Sequence, residues 1–224
     1  MDRVTFDFPD KETARVFRIM AEFVVSFEQL SHIGPAVTIF GSARTKPSNI
    51  YYKKAVKLSR LLAQKNLAVI TGGGPGIMEA ANKGAALAKG VSVGLNIQLP
   101  SEQSCNEFIN HPINFHYFFC RKVCFVKYAS AFVLFPGGFG TLDECFELLT
   151  LIQTERISKF PVIFFGKKYW SGLHAWIKTT LKGGKYISPD DLLLYHITDS
   201  PEEAFEIVYT FQRQNEGSAI GPNI

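Results

Sequence analysis

The chain has 224 residues, 46% of them hydrophobic and 20% charged, with a formal net charge of +4. That composition excludes a disordered chain, and the length supports a sizeable core without disulfides. The charge is not drawn into a basic stripe. Its densest spots are Lys53-Lys54, Arg121-Lys122 and Lys167-Lys168, so an ordinary solvated surface is expected and no nucleic-acid partner.

The N-terminal stretch carries Asp2, Asp7, Asp10 and Glu12 and no apolar block behind a basic start. No signal peptide is expected. Val16, Ile19, Met20, Phe23, Val24, Phe27 and Leu30 recur at helical spacing. They predict an amphipathic helix over 13–30, within an N-terminal extension (1–32) suited to covering a sheet or packing on another subunit. A strand–helix rhythm follows. Apolar runs at 36–40, 67–70, 91–95, 131–135 and 161–165 alternate with helical patterns at 51–64, 77–89, 118–127, 142–153 and 169–181. The stretch between 95 and 118 reads as irregular. A last short strand is predicted near 195–197. Ser200-Pro201-Glu202-Glu203 opens a final helix, with serine as cap, proline in the first turn and Glu203 at the capping-box position. Periodicity fades over 215–224, which predicts a flexible tail.

Runs that are mostly apolar throughout, alternating with helices, predict an α/β fold. The expected architecture is a Rossmann-like doubly wound, mostly parallel sheet with helices on both faces, in one nucleotide-binding domain over 1–224. No run of about 18 apolar residues occurs, so no membrane span is expected. Cys105, Cys120, Cys124 and Cys145 are too few and too irregularly spaced for a disulfide framework or a paired zinc site. No metal is expected, and reduced thiols fit the cytoplasm.

Ligands of a doubly wound sheet bind at the carboxyl ends of the strands. Two strand ends here carry glycine clusters that lead into helices: Gly72-Gly73-Gly74-Pro75-Gly76 and Gly137-Gly138-Phe139-Gly140-Thr141. Each cluster either permits a tight turn or lets an anion approach the unpaired amides of a helix start. Two in one sheet point to a phosphate. Neither has the Walker A pattern, and Ile77 stands where a dinucleotide fingerprint needs its third glycine. Glu144, three residues after Thr141, completes a capping box or acts as a base beside the phosphate. Arg121 lies in an aromatic stretch and meets an ion-pair partner, solvent or an anionic ligand. The five histidines form no metal or triad cluster; His116 alone lies near the candidate site.

The run Phe135-Pro136-Gly137-Gly138-Phe139-Gly140-Thr141-Leu142-Asp143-Glu144 resembles the signature of the LOG ("lonely guy") family. So do Gly41-Ser42-Ala43-Arg44, the run from Thr71 to Ala80 with Gly76-Ile77-Met78, and Phe118-Phe119-Cys120-Arg121-Lys122. The resemblance spans roughly residues 36–210, in consistent order. The long N-terminal helix and the segment Leu99-Pro100-Ser101-Glu102-Gln103 resemble the longer bacterial branch.

The resemblance implies a phosphoribohydrolase that splits a nucleoside 5′-monophosphate (AMP or an N6-modified AMP such as a cytokinin riboside monophosphate) into free base and ribose 5-phosphate. It implies no cofactor, and a homodimer or larger homo-oligomer such as a hexamer. It assigns catalysis to Arg121 and Glu144. Substrate or phosphate binding falls to Gly41, Ser42, Gly73, Gly74, Gly76, Met78, Lys122, Gly137, Gly138, Phe139, Gly140 and Thr141, with Glu102 and Asn106 as further nucleotide contacts. Arg121 stays protonated and is expected to hold Glu144 ionised. Cys120 and Ser130 depart from the family pattern. A non-catalytic nucleotide carrier of the same fold is the alternative. The family has also carried a lysine decarboxylase label, but the His-Lys dipeptide of pyridoxal-dependent decarboxylases does not occur.

Overall fold

The computed structural model of the protein describes residues 11–97 and 105–215. Its strands are β1 (Ala36–Phe40), β2 (Ala68–Thr71), β3 (Ser92–Ile97), β4 (His111–Phe115), β5 (Ala129–Leu134), β6 (Val162–Phe165) and β7 (His196–Thr198). They form one sheet in the order β4-β3-β2-β1-β5-β6-β7, with every neighbouring pair parallel. The helices are α1 (Lys11–Leu30), α2 (Ile50–Ala63), α3 (Ile77–Leu87), α4 (Phe118–Lys127), α5 (Phe139–Gln153), α6 (Lys167–Trp176) and α7 (Pro201–Gln214). A π-helical turn, Ile177–Lys182, prolongs α6, and a short 3-10 helix, Pro189–Leu193, precedes β7.

Side chains alternate across a strand, so a sheet buried on both faces needs two apolar layers. β1 shows both: Ala36 and Phe40 join one core, Val37 and Ile39 the other. The first core takes Leu30 of α1, Phe125 of α4, Leu148 of α5 and Trp170 of α6. The second takes Leu58 and Leu62 of α2, Ala80 and Ala85 of α3, and Ala204 and Val208 of α7. The chain winds outward from β1 in one direction and from β5 in the other. The sheet therefore switches direction between β1 and β5.

Four differences from the sequence expectation have physical causes. The stretch read as irregular contains β4. It is an edge strand with Pro112 in it, and its burial alternates instead of being continuous; edge strands tolerate proline and polar residues. β5 begins two residues earlier than its apolar run. Ser130 is passed over between the pairs Ala36–Ala129 and Val37–Ala131, and its buried hydroxyl donates to the Ala36 carbonyl at 3.0 Å. The unusual serine thus serves a bulge. α5 begins at Phe139, not 142, so Gly138 is its cap residue. Thr141 lies inside the first turn, which excludes the capping-box alternative for Glu144, and Asp143 and Glu144 lie beyond that turn. The Ser200 hydroxyl does cap α7 by accepting the Glu203 N–H at 3.2 Å. The Glu203 carboxylate, however, accepts from the Thr198 hydroxyl at 2.5 Å.

α1 is tied to the start of α4. The Glu22 carboxylate accepts the His116 N–H at 2.6 Å and the Tyr117 N–H at 3.2 Å. An anion at a helix start is favoured by the dipole and by the unpaired amides there. Cys120, the other unusual residue, is fully buried one turn on, and burial and the Glu22 carboxylate together hold its thiol protonated. The outer face of α1 leaves Val16, Met20 and Val24 exposed at four-residue spacing.

Candidate active site

The carboxyl ends of β2, β1 and β5 open onto a cleft of about 980 Å³ at the switch between β1 and β5. Crevices at such switch points collect ligands because the flanking loops diverge. The walls come from the loop after β1 (Gly41, Ser42, Arg44, Thr45), from Gly72 after β2 and from α4 (Phe118, Arg121, Lys122). The loop after β5 and the start of α5 complete them (Gly137, Gly138, Phe139, Gly140, Thr141, Glu144).

The start of α5 leaves its first amides open to the cleft. Its cap residue, Gly138, offers no side chain to the first turn. The amides of Phe139 and Gly140 have no protein acceptor among the described residues, as the first turn of any helix leaves them. Gly137 has to be glycine, because a Cβ there would overlap the Thr141 hydroxyl. A methyl on Gly140 would meet nothing within 4 Å. α6 braces the loop from outside. The Tyr169 hydroxyl donates to the Gly137 carbonyl at 2.6 Å, and the buried Trp170 Nε1 lies 3.1 Å from the Leu134 carbonyl.

The second glycine cluster works differently. Gly73 and Gly76 adopt positive φ (76° and 71°), and a Cβ on Gly76 would overlap the Ser42 carbonyl. The Ile77 amide at the start of α3 already donates to Ser42 O at 3.1 Å. Gly73, Gly74 and Gly76 are buried behind the cleft and do not line it. Gly73 and Gly76 shape the tight turn, and the residues of this segment that face the cleft are Gly72 and Met78. Asn106 is occupied in the same turn, with Nδ2 donating to the carbonyls of Gly73 and Gly74 at 3.1 Å each and to Asn82 Oδ1 at 3.0 Å. Glu102 and the Leu99–Gln103 segment lie outside the described residues.

Arg121 is fixed from behind by the sheet. Its Nε donates to the Leu95 carbonyl at 2.7 Å and its Nη2 to the Gly72 carbonyl at 3.1 Å. The guanidinium packs over Phe125, 5.1 Å from the ring centre. Burial lowers its pKa to about 10, opposed by Glu144, so it remains charged at neutral pH.

Glu144 is 9% exposed, and no side chain or amide among the described residues donates a hydrogen bond to its carboxyl. Burial pushes its pKa up to about 8. Lys122 and, more weakly, Arg121 pull it down, while Glu147 and Asp143 push it up. The expectation that Arg121 keeps Glu144 ionised is therefore corrected. Desolvation outweighs the guanidinium, whose donors are partly turned toward backbone carbonyls. Lys122, expected to bind substrate, has its ammonium 2.9 Å from Asp143 Oδ2 and 2.9 Å from Glu147 Oε2. Burial works against its charge, but the two carboxylates outweigh burial and raise its pKa.

The structure thus brings Gly41, Ser42, Met78, Arg121, Lys122, Gly137, Gly138, Phe139, Gly140, Thr141 and Glu144 to one cleft. Arg44 of the Gly41–Arg44 motif also lines it, as do Asn49, Tyr51 and Tyr169, which no sequence motif marks. Tyr51 and Tyr169 belong to first turns of helices (α2 and α6). Tyr169 follows a glycine strand end at Gly166, the same signal that marked the other two loops.

The model of the family described as "Possible lysine decarboxylase" matches residues 78–208. A probable cytokinin riboside 5′-monophosphate phosphoribohydrolase of Oryza sativa subsp. japonica is 25% identical over 185 residues, 80% of this chain and 74% of that protein. A pyrimidine/purine nucleotide 5′-monophosphate nucleosidase of Escherichia coli is 29% identical over 150 residues, 61% of this chain but 33% of that longer enzyme. Among solved structures, a structural-genomics target has a TM-score of 0.60 at 24% identity over 79% of this chain and 99% of its own. The molybdenum cofactor carrier protein of Chlamydomonas reinhardtii has a TM-score of 0.57 at 22% identity, over 80% of this chain and 98% of its own. At those identities the structural likeness speaks for the fold. With more than half of the sequence matched by the family model and the parallel sheet in place, the chain belongs to the LOG family.

Proposed function

We propose that this chain hydrolyses the N-glycosidic bond of a nucleoside 5′-monophosphate, AMP or an N6-modified AMP, to the free base and ribose 5-phosphate. One observation carries the reading: the uncapped amides of α5 and the buried Glu144 carboxyl share one helix in one cleft. Gly140 and Glu144 are four residues apart, on the same face and separated by about 6 Å of helical rise. That distance is comparable with the reach from the phosphorus to the anomeric carbon of a nucleoside monophosphate. The printed names of the Oryza and Escherichia relatives support the same reaction.

In this reading the 5′-phosphate sits on the amides of Phe139 and Gly140, favoured by the helix dipole. The ribose lies over Glu144. As the C1′–N bond breaks, the sugar gains oxocarbenium character. The Glu144 carboxylate stabilises that charge and accepts a proton from the water whose oxygen joins C1′. The departing base gains a proton in turn. A carboxyl near pKa 8 exchanges protons readily at ordinary pH, as general catalysis requires. Arg121, fixed by two carbonyls, binds anionic groups of the substrate. Lys122 is the lysine that lines the cleft among the described residues, and two carboxylates hold it, which disfavours a Schiff-base lysine of the decarboxylase kind.

A homodimer or larger homo-oligomer is part of the proposal, and the exposed Val16, Met20 and Val24 of α1 offer an apolar stripe for it. The four cysteines are free thiols, which accords with a cytoplasmic setting. The deciding experiment is chromatographic analysis of the purified chain incubated with nucleoside monophosphates, nucleosides and nucleotide sugars. Base release from monophosphates alone is expected. AMP binding without base release would assign the chain to a carrier role instead.

A further inference from the structure

α5 carries three carboxylates within one turn and a half: Asp143, Glu144 and Glu147. Helix residues three or four apart are neighbours, and like charges so placed repel. The cations that α4 brings against them are Arg121 and Lys122. Arg121 directs two of its donors to the carbonyls of Leu95 and Gly72. Lys122 is held on both sides, at hydrogen-bonding geometry to Asp143 Oδ2 and by a charge contact to Glu147 Oε2 at 2.9 Å. Its side chain is 21% exposed, which limits screening by solvent. The other ionisable groups lining the cleft are Asp143 itself, Arg44, Tyr51 and Tyr169.

We propose that Lys122 is a positioning residue for the reaction, clamped by Asp143 and Glu147 so that its positive charge tunes the neighbouring Glu144 carboxyl for proton exchange. The inference rests on the reading of Glu144 as the group that faces the sugar. Its sign follows from the geometry. Without the ammonium, the buried Glu144 lies beside two unneutralised carboxylates and keeps its proton to higher pH. Without the Glu147 charge, the same ammonium acts on fewer acids and Glu144 releases its proton at lower pH. Lys122 lies against the residue just before Glu144 and the one three after it on α5, so its charge and that of Glu147 act on Glu144 with opposite sign. A scaffolding role for Lys122 predicts no such opposition, and a phosphate-binding role predicts weaker AMP binding with no effect on Glu144.

The test is a carbon-13 NMR titration of the Glu144 side-chain carboxyl, assigned with Glu144→Gln, in the full chain and in Lys122→Gln, Lys122→Arg and Glu147→Gln. The pH profile of AMP hydrolysis is measured on the same proteins. The carboxyl midpoint is expected to rise by about one pH unit in Lys122→Gln, to stay near wild type in Lys122→Arg and to fall in Glu147→Gln. The limb of kcat/KM that reports Glu144 is expected to move with it. An unmoved midpoint in Lys122→Gln overturns the inference, as does a raised KM with an unmoved midpoint. If Lys122→Gln does not fold, an unmoved midpoint in Glu147→Gln overturns it. The titration needs no substrate, so a wild-type chain that leaves AMP intact defeats the proposed reaction separately.

Discussion

Tyr169 donates its hydroxyl proton to the Gly137 carbonyl across 2.6 Å, joining the first turn of α6 to the loop that opens α5. Tyr169→Phe keeps the ring against Trp170 and removes this one bond. A single neutral hydrogen bond of this kind contributes about 1 kcal/mol. A melting-temperature loss of about 2–4 °C is expected, together with a several-fold rise in KM for AMP at little cost in kcat. Scanning calorimetry and steady-state kinetics measure the two separately.

The two glycine clusters are expected to fail in different ways. Gly76→Ala puts a methyl into the Ser42 carbonyl at a positive φ, so it should cost several kcal/mol of stability, read as a large drop in soluble yield and melting temperature. Gly140→Ala meets no atom within 4 Å and should fold normally. Its methyl crowds the amides offered to the phosphate, so AMP affinity should fall at least tenfold by calorimetric titration. Equal AMP affinity in Gly140→Ala and wild type would move the phosphate away from α5.

Glu144 links stability to pH. Its ordinary carboxyl value is 4.5, and burial holds the folded value at about 8. The folded state therefore prefers the proton. The favourable contribution is complete below about pH 4.5 and is lost as pH rises toward 8. Glu144→Gln has no proton to lose. Its melting temperature relative to wild type should climb between pH 5 and pH 8, while adenine release disappears and AMP binding persists. A constant difference across that range would contradict the buried carboxyl.

Arg121→Lys keeps a charge but loses the fork that meets two carbonyls. One ammonium cannot satisfy both Leu95 O and Gly72 O in the same geometry. The expected result is a loss of about 1–3 kcal/mol in stability by denaturant titration and a fall of at least a hundredfold in kcat/KM for AMP.

Much of the sheet was legible because its strands are buried on both faces and read as continuous apolar runs. β4 was not, since an edge strand with Pro112 and alternating burial lacks that signature. The sequence pattern starts α5 three residues late because Phe139-Gly140-Thr141 reads as loop chemistry. In the fold those residues form the first helical turn, which rules out the capping-box alternative for Glu144 and leaves a bare set of amides. Arg121 and Glu144 are legible as cleft residues from their motifs. The proton preference of Glu144 was not, because it depends on desolvation by packed neighbours that local spacing does not encode. The two glycine clusters looked equivalent in sequence. Only the approach of Ser42 to Gly76 shows that one of them is spent on packing against the loop after β1.

Glu22 reaches from outside the sheet to hold the two amides that precede the helix bearing Arg121 and Lys122. The N-terminal arm is thus a splint on the start of α4. Removing that arm would leave the parallel strands paired and the second core untouched, yet it would strip the two amides before α4 of their acceptor. Such a shortened molecule should still melt cooperatively, with the start of α4 the first place to loosen.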